Sequence, residues 1–125
     1  MYQLGKIDRK IYNCITDDII TDEVILTDHQ LQHILERHPE TYPDIIQYLK
    51  LTIEHPDYII ADKHENSGLV FKRIELENEY LQLVLRICTS QDNITYKNSV
   101  ISCWQISEKR LQNYLRNKQV LYKKE

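Results

Sequence analysis

Leu81, Leu83, Leu85 and Ile87 alternate without a break against Tyr80, Gln82, Val84, Arg86 and Cys88, and this run limits the fold more than any other. Successive side chains of a strand point to opposite faces, so strict alternation predicts a strand over 80–89 with one apolar face to bury. A lone strand cannot bury that face, and the flanking segments supply partners. Tyr58 to Asp62 and Leu69 to Leu76 read as strands before it, and residues 94–104, ending in Val100-Ile101-Ser102-Cys103-Trp104, read as a strand after it. Asn66-Ser67-Gly68, Glu77-Asn78-Glu79 and Ser90-Gln91-Asp92-Asn93 are turn signals between these runs. Short turns make successive strands antiparallel, which predicts a four-stranded meander.

The stretch from Leu26 to Pro39 predicts a helix with sharp ends over about 28–38. Thr27 is a good N-cap, Gln30 completes a capping-box pattern, and Leu26 with Leu31 forms a hydrophobic staple. Pro39 disfavours helical geometry at His38 and stops the helix there. Leu31, Ile34 and Leu35 form its apolar stripe, expected in the core. A second helix is expected from Pro43, with Ile45, Ile46, Leu49 and Ile53 at helical spacing, ending before His55-Pro56. Ser107 caps a last helix with Leu111, Tyr114 and Leu115 as its stripe. Residues 1–26 read as extended pieces, with Ile7, Arg9, Ile11, Asn13 and Ile15 on one side of an alternating pattern and Val24-Ile25-Leu26 as a short β-rich run. The predicted architecture is α+β, with the helices packed on one face of a four-stranded antiparallel sheet.

A length of 125 residues suits one domain, 1–125, with an extended segment over 1–21 preceding the core. Apolar residues make up 42% and charged residues 28%, an ordinary soluble balance, and no run is apolar enough to span a bilayer. Cys14, Cys88 and Cys103 are odd in number and far apart, which argues against a disulfide scaffold and points to a reducing cytoplasm. Only two glycines occur, so a phosphate-cradling glycine-rich loop is excluded. The net charge of −3 does not advertise nucleic-acid binding, yet residues 17–28 are acidic while Lys109, Arg110, Arg116, Lys118, Lys123 and Lys124 make the C-terminal stretch basic. That basic stretch reads first as a solvated helix surface.

Three of the five histidines lie on the first predicted helix, with Arg37 between His33 and His38. His33 and Arg37 are four apart and therefore neighbours, and His33 lies off the apolar stripe. A histidine titrates near neutrality, and an arginine keeps a charge that suits phosphate. Arg86 stands mid-strand among apolar residues, where the ordinary explanation is a salt bridge and the functional one is anion recognition. Lys72 and Arg73 point to opposite faces of a neighbouring strand, so one of them shares Arg86's face, and the register decides which. Ser99 and Ser102 lie near the end of the last strand, as plain polar decoration or as hydroxyls that hold a phosphate oxygen. Together these groups suit RNA cleavage, in which the ribose 2′-hydroxyl is the nucleophile and the protein supplies base, acid and positive donors.

Val24-Ile25-Leu26-Thr27 followed by His33-Ile34-Leu35-Glu36-Arg37-His38-Pro39 resembles the phage-associated branch of the barnase–EndoU–colicin–RelE-like nuclease superfamily. The resemblance continues through His55-Pro56-Asp57, Phe71-Lys72, Leu83-Val84-Leu85-Arg86 and Ser102-Cys103-Trp104, covering about residues 22–123. It implies one or two helices followed by a four-stranded antiparallel sheet. It also implies metal-independent ribonuclease activity without a cofactor, in toxins or mobile-element effectors. By position it implies His33 as acid/base, Arg37 and His38 as neighbours in the site, Lys72 and Arg86 on the scissile phosphate, and Ser102 as the strand-end hydroxyl. The net acidity departs from an RNA-cleaving domain, and Cys88 and Cys103 have no role in the pattern.

Two other classes fit the same residues. One is a non-catalytic binding module on this fold, an inhibitor, immunity-like or anti-defence protein that docks to a partner; the partners expected besides RNA are a protein inhibitor or a host protein. The acidic charge favours it. The other is a metal hydrolase built on His29 and His33, with Glu36, His55 or His64 as third ligand. RNA is the expected partner of the first reading, and no membrane partner is expected of any.

Overall fold

The computed structural model describes residues 1–39, 44–74 and 79–125. Its elements, in chain order, are β1 (Tyr2–Lys6), α1 (Arg9–Tyr12), β2 (Glu23–Leu26), α2 (Asp28–Arg37), α3 (Ile45–Glu54), β3 (Tyr58–Ala61), β4 (Ser67–Ile74), β5 (Glu79–Arg86), β6 (Asn98–Ile106), α4 (Glu108–Asn117) and β7 (Val120–Lys123). The sheet has seven strands in the order β1-β2-β6-β5-β4-β3-β7. No helix among the described residues is long and apolar enough to cross a membrane. The expected helix start at Pro43 and the turn residues Glu77 and Asn78 lie outside the described residues.

The centre follows the alternation. β3, β4, β5 and β6 are antiparallel neighbours, with Leu83 opposite Val70 on one side and Cys103 on the other. Leu81, Leu83 and Leu85 are fully buried. Helix ends also follow local chemistry. Thr27 Oγ1 accepts from the Gln30 backbone N–H at 3.1 Å, and Ser107 Oγ accepts from that of Arg110 at 3.2 Å. Each satisfies a donor that has no helical partner.

The four-stranded antiparallel sheet with helices on one face is corrected on three counts. First, residues 1–26 hold two strands and a helical turn. Ile7, Ile11 and Ile15 are four apart, a spacing that fits both a strand and a helix. Asp8 decides locally, because its side chain accepts from the Lys10 N–H at 2.9 Å and caps α1. Second, the sheet is mixed and wider. β2 runs parallel to β6, with Val24 opposite Asn98, β1 pairs with β2, and β7 returns after α4 to pair with β3. Third, α4 does not share a face with the other helices. α1, α2 and α3 cover the Leu81/Leu83/Leu85 side, where Tyr12, Ile34, Leu49 and Ile53 join the main core. Leu111 of α4 packs on Phe71, Tyr80 and Ile106 across the sheet. The stripe of α2 is corrected as well, since Ile34 is fully buried but Leu35 is 44% exposed.

Tyr12 locks the N-terminal segment to α3. It is fully buried, and its hydroxyl donates to the Ile53 carbonyl at 2.7 Å, one of the helix-end acceptors without an intrahelical partner. Burial pushes its phenol well above the ordinary range, so it stays protonated and keeps donating. Tyr12→Phe should cost about 1–3 kcal/mol, because the buried carbonyl is left unpaired. A urea midpoint equal to that of the wild type would contradict this.

Candidate functional site

The side of the sheet away from α1, α2 and α3 is only partly covered. Cross-strand partners project on the same side, so the register assigns this face directly. Gln82 opposes Trp104, Val84 opposes Ser102, and Arg86 opposes Ser99. A bulge between Val84 and Leu85 absorbs Ile101, which brings both Ser99 and Ser102 to this side. The row from Gln82 to Arg86 is roughly 13 Å long at strand rise. The cluster under α4 reaches Trp104 and Val84, and beyond them the Arg86 end opens into a concavity of about 530 Å³. Arg86, Lys97, Ser99, Glu23 and Asp92 form its polar lining, with Ile25, Ile101 and Tyr96 beside them.

α2 meets this face at its C-terminal end. The His38 N–H closes the helix on the Ile34 carbonyl at 2.8 Å, and its ring stacks on Trp104, centroids 5.7 Å apart and planes at 21°. Trp104 thus ties His38 to the row that carries Ser102 and Arg86. His33 is half-buried on the same helix and Arg37 is exposed. Among the described residues, no hydrogen bond or ion pair joins either of them to Arg86 or Ser102.

Lys72 is elsewhere. It opposes Leu81, on the side covered by α1, α2 and α3, and its ammonium lies 3.6 Å from Asp57. Arg73 opposes Tyr80 and shares Arg86's side, but Arg86 opposes Ser67. Six residues of β4 therefore separate the two positions, roughly 20 Å. The structure puts Arg86 and Ser102 on one side of the sheet, with His38 against Trp104 in the same row, while Ser102 and His38 do not line the concavity at Arg86 and Lys72 and Arg73 lie elsewhere. His29 and His33 gain no third ligand, because the described residues contain no group of three or more histidines, cysteines or acids arranged to hold a metal ion.

Arg86 has both the bland and the functional attributes. Its Nη2 donates to Asp92 Oδ1 at 2.9 Å, yet its Nε is buried with no hydrogen-bond partner among the described residues. A buried donor left unmatched costs free energy unless something else binds it. Gln82, 2% exposed in the same row, likewise has an Oε1 without a partner. Asp92 also ties down the loop after β5, because its Oδ2 accepts from the Thr89 N–H at 2.8 Å. That hydrogen bond, with the charge of Arg86 added, holds the Asp92 carboxyl below its usual range. On the other rim Lys97 donates to Glu23 at 2.6 Å, and this bond holds the Glu23 carboxyl below its ordinary value. The thiols are chemically quiet. Burial raises Cys88 above its ordinary value and pushes Cys103 up to about 12, so neither is a thiolate near neutrality.

The sign of the Asp92 effect is definite. Its pKa is lower folded than unfolded, so its stabilisation is complete above the unfolded value and fades as pH falls through the folded one. Asp92→Asn should therefore narrow the difference in urea midpoint between pH 7 and strongly acidic solution. Identical acid sensitivity in variant and wild type would contradict this.

Sequence reasoning overlooked Glu23, Asp92, Tyr96, Lys97 and Asn98. Asp92 was visible only as part of a turn signal. Asn98 joins the two halves of the site, accepting from the Cys88 N–H and donating to the Thr21 carbonyl, both at 2.8 Å. Nothing local marks an asparagine for such a bridge across 77 residues.

A family model described as phage-Barnase-EndoU-ColicinE5/D-RelE like nuclease2 matches residues 2–123. No curated protein and no solved structure matches the chain.

Proposed function

The chain belongs to the phage-Barnase-EndoU-ColicinE5/D-RelE like nuclease2 family, a nuclease family of the barnase, EndoU, colicin and RelE type, and on that premise we propose that it is a metal-independent endoribonuclease. The observation that carries the reading is the row Arg86, Ser102 and His38 on one side of the sheet, with a guanidinium N–H unmatched among the described residues at one end and an imidazole at the other. A phosphate bound along this row would meet a cation, a hydroxyl and an imidazole. Those are the groups that phosphoryl transfer from a ribose needs.

In this mechanism a histidine of α2 takes the proton from the 2′-hydroxyl as its oxygen bonds to phosphorus. The bond from phosphorus to the 5′-oxygen breaks, and that oxygen receives a proton from the second titrating group. The products are a 2′,3′-cyclic phosphate and a 5′-hydroxyl. His38 and His33 are the acid and base, with His38 nearer the phosphate. Arg86 and the Ser102 hydroxyl hold the non-bridging oxygens as negative charge builds on them, and Arg37 adds positive charge to the same helix. Lys72, salt-bridged across the sheet, has no part in it.

Purified protein should cleave total cellular RNA in excess chelator and leave 2′,3′-cyclic phosphate ends. His38→Ala and His33→Ala should each cleave at least about 10²-fold more slowly while remaining folded. Intact RNA with the wild type would sink the assignment and favour a binding module on the same fold. Equal activity in either variant would remove that histidine from the mechanism.

A further inference from the structure

Tyr96 is 60% exposed, an unusual position for a large ring beside two apolar concavities. Its exposure is not that of a loose loop. Asn93 Oδ1 accepts from the Thr95 N–H at 2.9 Å, and the Tyr96 N–H donates to the Asn93 carbonyl at the same distance. Cys88 Sγ donates to the Tyr96 carbonyl at 3.5 Å, and Asp92 pins the start of the loop. The backbone is therefore held on both sides of the ring, and the side chain has no ring contact or hydrogen bond among the described residues.

Two concavities meet at this ring. One is the 530 Å³ space of the site already described, and the other, about 510 Å³, lies towards Ile20 and Ile94. Tyr96, Asp92 and Lys97 line both. Ile94 stands 88% exposed on the far side, while Ile25 and Ile101 supply apolar surface on the near side. Lys97 follows Tyr96 directly and is paired with Glu23, while Arg86 in the first concavity is paired with Asp92 through Nη2 and keeps its Nε unmatched among the described residues. An aromatic platform with apolar space beside it and cations next to it matches a nucleobase and its phosphate, since every base has a face that stacks.

We infer that Tyr96 is the base-stacking platform of this protein, and that its two flanking concavities take unpaired bases of a single-stranded RNA whose phosphate reaches Arg86. This rests on the nuclease reading and narrows its substrate to unpaired RNA. A base within a duplex is stacked on its neighbours and cannot lie on the ring.

The test measures binding apart from cleavage. A short, fully 2′-O-methylated RNA lacks the nucleophile, so its affinity reports recognition alone. Its binding to the wild-type protein is followed by fluorescence anisotropy, as a single strand and annealed to its complement. The single strand should bind more tightly than the duplex. Tyr96→Ala should weaken single-strand binding by roughly 5- to 150-fold, the loss of one stacked base, while Tyr96→Phe stays close to wild type. The exposed ring makes misfolding of these variants easy to exclude by circular dichroism. Equal affinity of wild type and Tyr96→Ala, or equal affinity for strand and duplex, would overturn the platform while leaving the nuclease reading intact if Arg86→Gln weakens binding. No binding of either form by the wild type would overturn both.

Discussion

Arg86→Gln should slow RNA cleavage by roughly 10²–10³-fold, the usual loss when one aimed donor to a developing anion is removed. Glutamine keeps length and polarity but has no charge. The effect should fall on the rate at saturating RNA as well as on affinity, because the donor is stronger against the charge that grows in the transition state. Arg86→Lys should not restore it. An ammonium is a point charge that cannot replace the planar fork, one arm of which is taken by Asp92 while Nε is left unmatched. Both variants should fold, since the Arg86 side chain is 41% exposed and the strand around it is held by its backbone ladder. A single-turnover rate within twofold of wild type in Arg86→Gln would remove Arg86 from the chemistry and reduce it to a loop anchor for Asp92.

Arg86 also shows what a sequence can disclose about a site. The unbroken alternation from Leu81 to Ile87 put Arg86 on the face away from the main core, and the register agrees. The choice between Lys72 and Arg73 depended on register, which no local pattern in β4 carries. A shift of one residue exchanges the two faces, and the observed pairing puts Lys72 opposite Leu81. Residues 94–97 read as the start of a strand, but β6 begins at Asn98 and leaves Tyr96 and Lys97 in the loop before it, where Tyr96 is held by Cys88 eight residues away and Lys97 by Glu23, 74 residues away.

The fold divides in the same way. Meander strands and capped helices follow from signals within about ten residues of each other, and these were legible. The parallel pairing of β2 with β6 joins segments more than seventy residues apart, and no turn signal announces it. β7 is four residues long and sits beyond the last helix in a basic stretch, where polarity masks its pairing with β3. α4 gave its stripe correctly but not its side. Phe71, Tyr80 and Ile106 make the opposite face apolar too, and alternation on β5 alone could not reveal that.

α2 offers the sharpest stability contrast. Ile34→Ala should destabilise the protein by about 2–5 kcal/mol, because the side chain is fully buried in the main core and its loss leaves a cavity. Leu35→Ala, one residue on, should cost no more than about 1 kcal/mol, since that residue is 44% exposed and leaves no closed cavity. The pattern in the sequence treats the two as equals, and only the packing separates them. The consequence reaches the chemistry. Ile34 seats the helix that carries His33 and His38, and its carbonyl receives the His38 N–H. Cleavage by Ile34→Ala should therefore fall even at temperatures where the variant is folded, whereas Leu35→Ala should cleave at the wild-type rate. Equilibrium urea unfolding beside RNA cleavage at the same temperature checks both halves. Equal midpoints for the two variants would show that α2 is seated on some other side chain, and the histidines with it.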